Sequence, residues 1–402
     1  MQTLKILFST SYYPPYHLGG DATHAKYLAE ELANRGHEVH ILHSIDAYRI
    51  KRKNFDDLKR EPDKKNIFIH QIKSPLNKID PLLVYTLGFS SYVEKQFSKV
   101  LKEVNPNIVH HHNISLLGYP ILEKRDKYLS LYTAHDYWLI CQTNNLLRNK
   151  RKICSQKNCY SCAITSKRFP QIWRQFTGFK KALKNIDLLI SPSDFVRTRI
   201  LQEIELDSCT IPNFAPKPPD HIIPSVFSNY FLFVGMLEAH KGILQLLSLF
   251  NELRSDLKTT LIVVGGGSLE PLIKAYINKN SLRERVVFLG FVDRENLYSL
   301  YSNALALIVP SIWPENAPLV VLEALSVGTP VIVSNQGGLP EIATKVNEDL
   351  IFTDFTNLGK ILISFDKSEF NSSRIKKIFQ NNYSAESYVN KYLEIVNSPK
   401  NC

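Results

Sequence analysis

Short apolar runs recur along this chain with amphipathic stretches between them, and the rhythm plays through twice. In the first half, Leu4–Ser9, Val39–Leu42, Asn107–His111, Leu129–Ala134 and Asp187–Ile190 are apolar runs of strand length. Asp21–Arg35, Leu82–Glu103 and Asp194–Glu205 carry apolar residues at helical spacing. The second half repeats the pattern with strands at Phe231–Val234, Thr260–Gly265, Val286–Leu289, Leu305–Val309 and Val331–Ser334. Alternating strand and helix predicts an α/β protein of two Rossmann-like, doubly wound parallel-sheet domains, each taking ligands at the carboxyl ends of its strands. The expected boundaries are a first domain over 1–212 with a cysteine-bearing insert at about 141–162, a linker over 213–228, a second domain over 229–382 and a last helix within 383–402. Pro212-Asn-Phe-Ala-Pro-Lys-Pro-Pro-Asp220 supplies the proline-rich linker.

The richest chemistry lies in Pro310-Ser-Ile-Trp-Pro-Glu-Asn-Ala-Pro-Leu-Val-Val-Leu-Glu323, continuing through Gly328-Thr-Pro to Asn335-Gln-Gly-Gly-Leu-Pro-Glu341. The strand Leu305–Val309 leads into a loop carrying Glu315. A helix follows, with Pro318 near its start and Gly328 just past its end. Glu323 then lies roughly 7 Å along the helix from its mouth. The first amides of that helix have no intrahelical partner and sit at the positive end of its dipole. Two carboxylates flanking an anion-binding helix start suit a ligand with hydroxyls at both ends and phosphates in the middle, as in a nucleoside diphosphate sugar.

Glu315 and Glu323 form an E-x7-E pair, and the chain resembles the retaining glycosyltransferases of family 4, which have the two-domain GT-B fold. The resemblance implies that Glu315 and the backbone of Asn316, Ala317, Pro318 and Leu319 meet the donor sugar and diphosphate, and that Glu323 binds the ribose. Asn316-Ala317 replaces the usual Phe-Gly; Ala is small enough for a backbone contact, and Asn is a residue that caps helices. Glu386–Val396 resembles the family's terminal helix, which crosses back onto the first domain, so the two domains are expected to face a cleft.

Gly19-Gly20-Asp21 ends the first loop and opens a helix, a place where bare backbone approaches an anion. The segment from Ser11 to His37 resembles the family's amino-terminal signature; G-x-G-x-x-G is absent, which excludes a dinucleotide fingerprint. Val234-Gly-Met-Leu-Glu-Ala-His-Lys-Gly242 also links strand to helix, and Lys241 is a point charge suited to a diphosphate. Met236 stands where the family commonly has arginine, which leaves Lys241 as the main cation. Gly265-Gly-Gly267, centred on Gly266, is either another close approach to the donor or a structural turn. His135-Asp136 resembles the family's histidine at the sugar end of the donor. In His110-His111-His112, alternation sends neighbours to opposite faces, so only part of the trio can line a site. The family works without a catalytic metal, and none is expected here.

Cys141, Cys154, Cys159 and Cys162 lie in one stretch, and Cys159-x-x-Cys162 has chelate spacing. Structural zinc is one reading and free or redox-active thiols the other. At 402 residues the chain is long enough for two cores, and no apolar run approaches the roughly 18 residues that span a bilayer. No secretion signal is evident, so the expected location is cytoplasmic, with peripheral attachment to the inner face of the membrane as the variant. A net charge of +11 draws on Arg49–Lys65 and Arg148–Lys152, and the spacing in Lys167–Lys184 puts aromatics on one helical face beside lysines. That pattern fits either an anionic membrane surface carrying a lipid-linked acceptor or a helix packing its aromatic side inward. No nucleic-acid reader motif accompanies the charge, so nucleic acid is not an expected partner.

The expectation is therefore a retaining glycosyltransferase moving a sugar from a nucleotide-sugar donor to a glycan or lipid-linked hydroxyl acceptor. Glu315, Lys241 and His135 are its catalytic candidates. A nucleotide-sugar epimerase, or a binding protein without transfer activity, on the same scaffold is the alternative.

Overall fold

A computed structural model describes residues 3–17, 19–51, 64–123, 127–148, 152–154 and 157–398. Parts of the two basic stretches, 52–63 and 149–151, lie outside the described residues. The chain divides into two compact units, one of residues 1–149, 154–211 and 389–402, the other of residues 150–153 and 212–388.

The first unit holds a parallel sheet of seven strands: β1 Lys5–Thr10, β2 Glu38–Ser44, β3 Ile67–Ile72, β4 Ile108–His111, β5 Leu129–Thr133, β6 Leu188–Ser191 and β7 Ser208–Thr210. Their order is β3-β2-β1-β4-β5-β6-β7, and Phe8 of β1 pairs with Ile41 on one side and His110 on the other. Ile6, Phe8, Ile41, Val109, Leu131 and Leu189 are fully buried, as continuous apolar strands covered on both faces require. The edge strands β3 and β7 escaped the sequence pattern. β3 exposes Phe68 and Ile69 and has no continuous buried run, while β7 has three residues.

The helix predicted over Leu82–Glu103 is two helices, Ile79–Leu87 and Ser91–Val104. Gly88 breaks it with a left-handed φ of 86°, and a Cβ there would strike Trp173 and Tyr119. Ser90 then caps the second helix by accepting from the Val93 amide.

The second unit holds β8 Tyr230–Val234, β9 Thr260–Val264, β10 Val286–Gly290, β11 Leu307–Val309, β12 Val331–Ser334 and β13 Ile351–Phe352, in the order β10-β9-β8-β11-β12-β13. All its described pairings are parallel. The proline-rich segment expected as a linker is packed in its first part. Phe214 and Ala215 are fully buried, the Phe214 ring lies tilted against Tyr388 with centroids 4.8 Å apart, and the Ala215 amide donates to the Tyr383 carbonyl at 3.2 Å. One aromatic among prolines is enough to anchor the segment.

The last helix is Ala385–Asn397. Its residues from Val389 onward belong to the first unit, where the Tyr392 hydroxyl meets His110 Nδ1 at 3.3 Å and Arg35 donates to Asn390 at 2.6 Å.

Candidate active site

In both sheets the strand order reverses once, between β1 and β4 in the first unit and between β8 and β11 in the second. Within each sheet the carboxyl ends of the two strands at the reversal are the usual ligand position of a doubly wound domain. The predicted residues fall there. Gly19 and Gly20 follow β1, Lys241 lies in the loop after β8, and Glu315 in the loop after β11.

In the second unit Glu315 is 4% exposed, and its Oε1 accepts from Lys241 Nζ at 2.6 Å and from Ser311 Oγ at 2.6 Å. Burial alone would raise the Glu315 pKa. The Lys241 charge and these hydrogen bonds outweigh it and hold the carboxyl below its ordinary value. Lys241 Nζ also lies 5.2 Å from the Trp313 ring centroid, within cation–π range.

Glycines let the loops touch. Gly242 has φ 74°, and a Cβ there would collide with the Pro310 carbonyl. The Ile312 amide donates to the His240 carbonyl at 2.9 Å, stitching the Lys241 loop to the Glu315 loop. Gly337, with φ 65°, lies against the Glu315 backbone, and the Gly338 amide donates to the Glu315 carbonyl at 2.7 Å. Gly-Gly in the 335–341 motif thus clamps the main chain of Glu315, a role the sequence did not disclose.

Gly265 and Gly267 also serve packing, since their Cβ atoms would meet the backbones of Gly235 and Leu237. Gly266 alone of the three faces open space.

The helix bearing Glu323 spans Leu319–Ser326. Its N-cap is Pro318, with no side-chain capping bond, so Asn316 does not cap it. Asn316 and Ala317 are instead buried in the loop, whose Ala317 carbonyl accepts from Asn213 Nδ2 at 2.9 Å. Glu323 accepts from the Tyr301 hydroxyl at 3.0 Å, and burial raises its pKa against the lowering pull of Tyr301 and Arg294.

In the first unit Gly19 has φ 85° and caps the helix Gly20–Asn34 without a side-chain bond. Asp21 in its first turn accepts from Asn113 Nδ2 at 2.6 Å, and burial raises its pKa. Alternation along β4 sends His111 to one face, where it meets Ser9 Oγ at 2.7 Å, and His110 and His112 to the other, with ring centroids 4.1 Å apart. His112 Nδ1 shares a hydrogen bond with His135 Nε2 at 2.9 Å, and the His24 ring lies 5.0 Å from that of His135. The ligand atoms of His24, His112 and His135 lie within 4.8 Å of one another. Burial drives this cluster to low pKa, His135 to about 3, so the rings are neutral at pH 7. Asp136 moves the other way: burial pushes it to about 7, although it accepts from the Trp138 amide and from Asn144. His24 and Tyr301 carry no sequence signal that separates them from ordinary helix and core residues, while Ser311 and Asp136 lie inside motifs that gave them no role of their own.

Cys141, Cys154, Cys159 and Cys162 all line one cavity of about 20 Å³ in the first unit. Burial raises Cys154 and Cys159 above the ordinary thiol pKa, which argues against activated thiolates.

Two doubly wound units with these motifs at their strand-order reversals make a two-domain α/β protein, and comparison with known proteins gives its class. Residues 225–391 match the family model described as glycosyl transferases group 1, and residues 18–216 match glycosyltransferase family 4. The chain belongs to the family 4 glycosyltransferases. It is 24% identical over 398 residues to a 42.6 kDa protein encoded in the cps region of Klebsiella pneumoniae, covering 96% of this chain and 99% of that one. Among solved structures it is similar to sucrose-phosphate synthase from Thermosynechococcus elongatus, with a TM-score of 0.73, 19% identity and 99% of each chain covered. It is also similar to Anabaena HepE in complex with UDP-glucose, with a TM-score of 0.66, 16% identity, and 98% of this chain and 100% of that one covered. At these identities the two structures establish the GT-B fold.

Proposed function

We propose that this protein transfers a sugar, with retention, from a nucleoside diphosphate sugar to a hydroxyl acceptor, either a glycan or a lipid-linked saccharide. The Lys241–Glu315 pair at the strand-order reversal of the second sheet carries the reading. A buried carboxylate fixed by lysine and Ser311 is a rigid acceptor for sugar hydroxyls. A diphosphate held by the uncapped helix start at Leu319 would draw on the charge of the same lysine. In the reaction the bond from the anomeric carbon to the diphosphate oxygen breaks. Negative charge builds on the leaving group, and Lys241, helix amides and the Gly19-Gly20 backbone stabilise it. The acceptor hydroxyl bonds to the anomeric carbon from the same face and gives its proton to the departing diphosphate. Glu315 orients the sugar, neutral His135 hydrogen-bonds its hydroxyls, Glu323 holds the ribose and Gly266 admits the donor backbone-close. The cps-region relative and the UDP-glucose complex of HepE support polysaccharide synthesis and a UDP-sugar as the first donor to test.

Incubation with UDP-, GDP- and ADP-sugars, followed by NMR of released or transferred sugar, tests the reading. One donor turned over to a product of unchanged anomeric configuration supports it; inverted product, or isomerised donor without release, overturns it.

For the cysteines we propose a structural zinc ion held by Cys141, Cys154, Cys159 and Cys162. Their shared cavity has room for about one water-sized species. Among the described residues these sulfurs do not form a mutually close triplet of the kind His24, His112 and His135 form, so binding would draw them together. Zinc would supply no step of the reaction.

A further inference from the structure

Fifty consecutive residues, Tyr137 to Ile186, contain no Asp or Glu and eleven Lys or Arg. The whole chain has 49 basic and 38 acidic residues, so the remainder is balanced at 38 against 38 and this stretch accounts for the entire net charge of +11.

The same stretch forms half of an exposed apolar face. The sequence predicted its aromatics on one helical face, but here they divide. Trp173 and Phe179 pack inward with Tyr119 and Trp138, and Arg174 is sandwiched among their rings. Phe169, Ile172 and Phe176 point outward, at 67%, 53% and 59% exposure. The short helix Ile172–Gln175 packs on the helix Ile79–Leu87, with Trp173 Nε1 donating to the Tyr85 carbonyl at 3.1 Å. That neighbour exposes Ile79 and Leu82, and the Gly88 break leaves Leu87 and Phe89 outward as well. Exposed Lys78, Lys167, Arg168 and Lys180 flank these apolar groups, and the one carboxylate of the neighbouring helix, Asp80, is buried and accepts from Ser90. A cavity of about 440 Å³ opens beside the face, lined by Arg174, Lys180, Leu139, Phe179 and Leu183 and by Lys157, which pairs there with Glu203.

We propose that this face, built from residues 76–89 and 164–184, docks on an anionic membrane surface. Isolated exposed apolar residues need no explanation, but several in one place with cations at the rim are organised for an interface. A protein partner could match the apolar groups. The strict exclusion of carboxylates over fifty residues fits a continuous negative sheet better, because each cation gains from lipid charge wherever it lands. Phenylalanine and isoleucine then insert among the acyl chains while lysines remain among the headgroups. The docking rests on surface chemistry alone and stands or falls apart from sugar transfer.

Co-sedimentation of the full chain with vesicles of phosphatidylcholine alone, or containing 30% phosphatidylglycerol, tests it. Binding to the anionic vesicles at least tenfold tighter than to neutral ones, weakened by salt, is expected. The variant Phe169→Ser/Ile172→Ser/Phe176→Ser and the variant Lys167→Glu/Arg168→Glu/Lys180→Glu should each lose at least tenfold. A control, Phe291→Ser, removes a 90% exposed phenylalanine of the other unit and should bind as the parent does. Circular dichroism and gel filtration confirm that the variants are folded. Equal binding to both vesicle types, no binding, or equal binding by all variants overturns the proposal. If the apolar variant instead turns a dimer into a monomer without changing vesicle binding, the face belongs to a second copy of the chain. Donor hydrolysis measured in parallel without vesicles separates this result from failure of the transferase reading.

Discussion

Lys241 Nζ lies 2.6 Å from Glu315 Oε1, joining residues 74 positions apart whose strands, β8 and β11, are neighbours in the sheet. The pair is mostly shielded, with side-chain exposures of 18% and 5%. Neither residue is comfortable without the other, because a lone buried charge keeps its desolvation penalty and loses its compensation.

Lys241→Met should therefore destabilise the second unit by roughly 3 kcal/mol at pH 8. In the parent, Glu315 has a depressed pKa, so its contribution is present above the unfolded carboxylate value and is lost as pH falls through the folded one. Without Lys241, burial raises that pKa, and ionisation becomes a cost that grows with pH. Urea denaturation at pH 5 and pH 8 should show the gap between variant and parent widening at the higher pH. A double-mutant cycle with Glu315→Gln should be strongly non-additive. An equal gap at both pH values would show that the lysine does not govern the carboxylate.

Glycine substitutions separate packing from ligand approach. Gly337→Ala puts a Cβ into the Glu315 backbone at a positive φ and should cost roughly 2 kcal/mol or more. Gly266→Ala meets no neighbouring atom and should leave stability within about 0.5 kcal/mol. Its effect, if Gly266 faces the donor, is a higher KM for donor with an unchanged melting temperature. Thermal melts beside donor kinetics distinguish the two.

Glu323→Ala should weaken nucleotide binding by roughly 1–3 kcal/mol by calorimetry. Tyr301→Phe should weaken it less, since Tyr301 only orients the carboxylate. Unchanged affinity in Glu323→Ala would remove the ribose assignment.

Acid should loosen the first unit. His24, His110, His111, His112 and His135 all have pKa values depressed by burial, so the unfolded chain binds more protons below about pH 6.5. The stability they contribute is full above that pH and is lost progressively as pH drops below it, toward about 3 for His111 and His135. Asp136 acts in the opposite sense. Its folded pKa of about 7 means that stability declines as pH rises from about 4 to 7. The expected melting temperature falls from pH 7 to pH 5, and falls more steeply in Asp136→Asn, which removes the opposing titration. Scanning fluorimetry across pH 5–8 measures both slopes; parallel profiles would contradict the assignment to Asp136.

Zinc analysis of protein purified without added metal should give about one equivalent, lost on Cys159→Ser/Cys162→Ser. A ratio well below one in intact protein would leave the four thiols free.

Sequence periodicity located the two sheets because their central strands are buried on both faces and read as unbroken apolar runs. It missed Ile67–Ile72, Ser208–Thr210 and Ile351–Phe352, which are edges with one neighbour each. It fused the helices on either side of Gly88, since nothing nearby in the chain says that Trp173 occupies the space a side chain there would need. Motif spacing placed Glu315 and Glu323 around one helix start and Lys241 just before another. Sequence alone did not reveal that Lys241 grips Glu315, that Gly337 clamps its backbone, or that Asn213 holds the same loop through Ala317. Those are meetings between distant segments that only the sheet order brings about. The histidine cluster was partly legible, because alternation along β4 separates His111 from its neighbours, but His24 joins it from a helix about ninety residues earlier.

Because the cations between Tyr137 and Ile186 are the whole of the protein's charge excess, they also set its behaviour as a colloid. Neutralising them would bring the chain close to its isoelectric point at pH 7, where molecules no longer repel one another and precipitate readily. Retention on a cation-exchange column, and the salt needed to release it, would then report almost wholly on one fifty-residue stretch. A membrane that covers that stretch would take over the task of keeping the molecules apart.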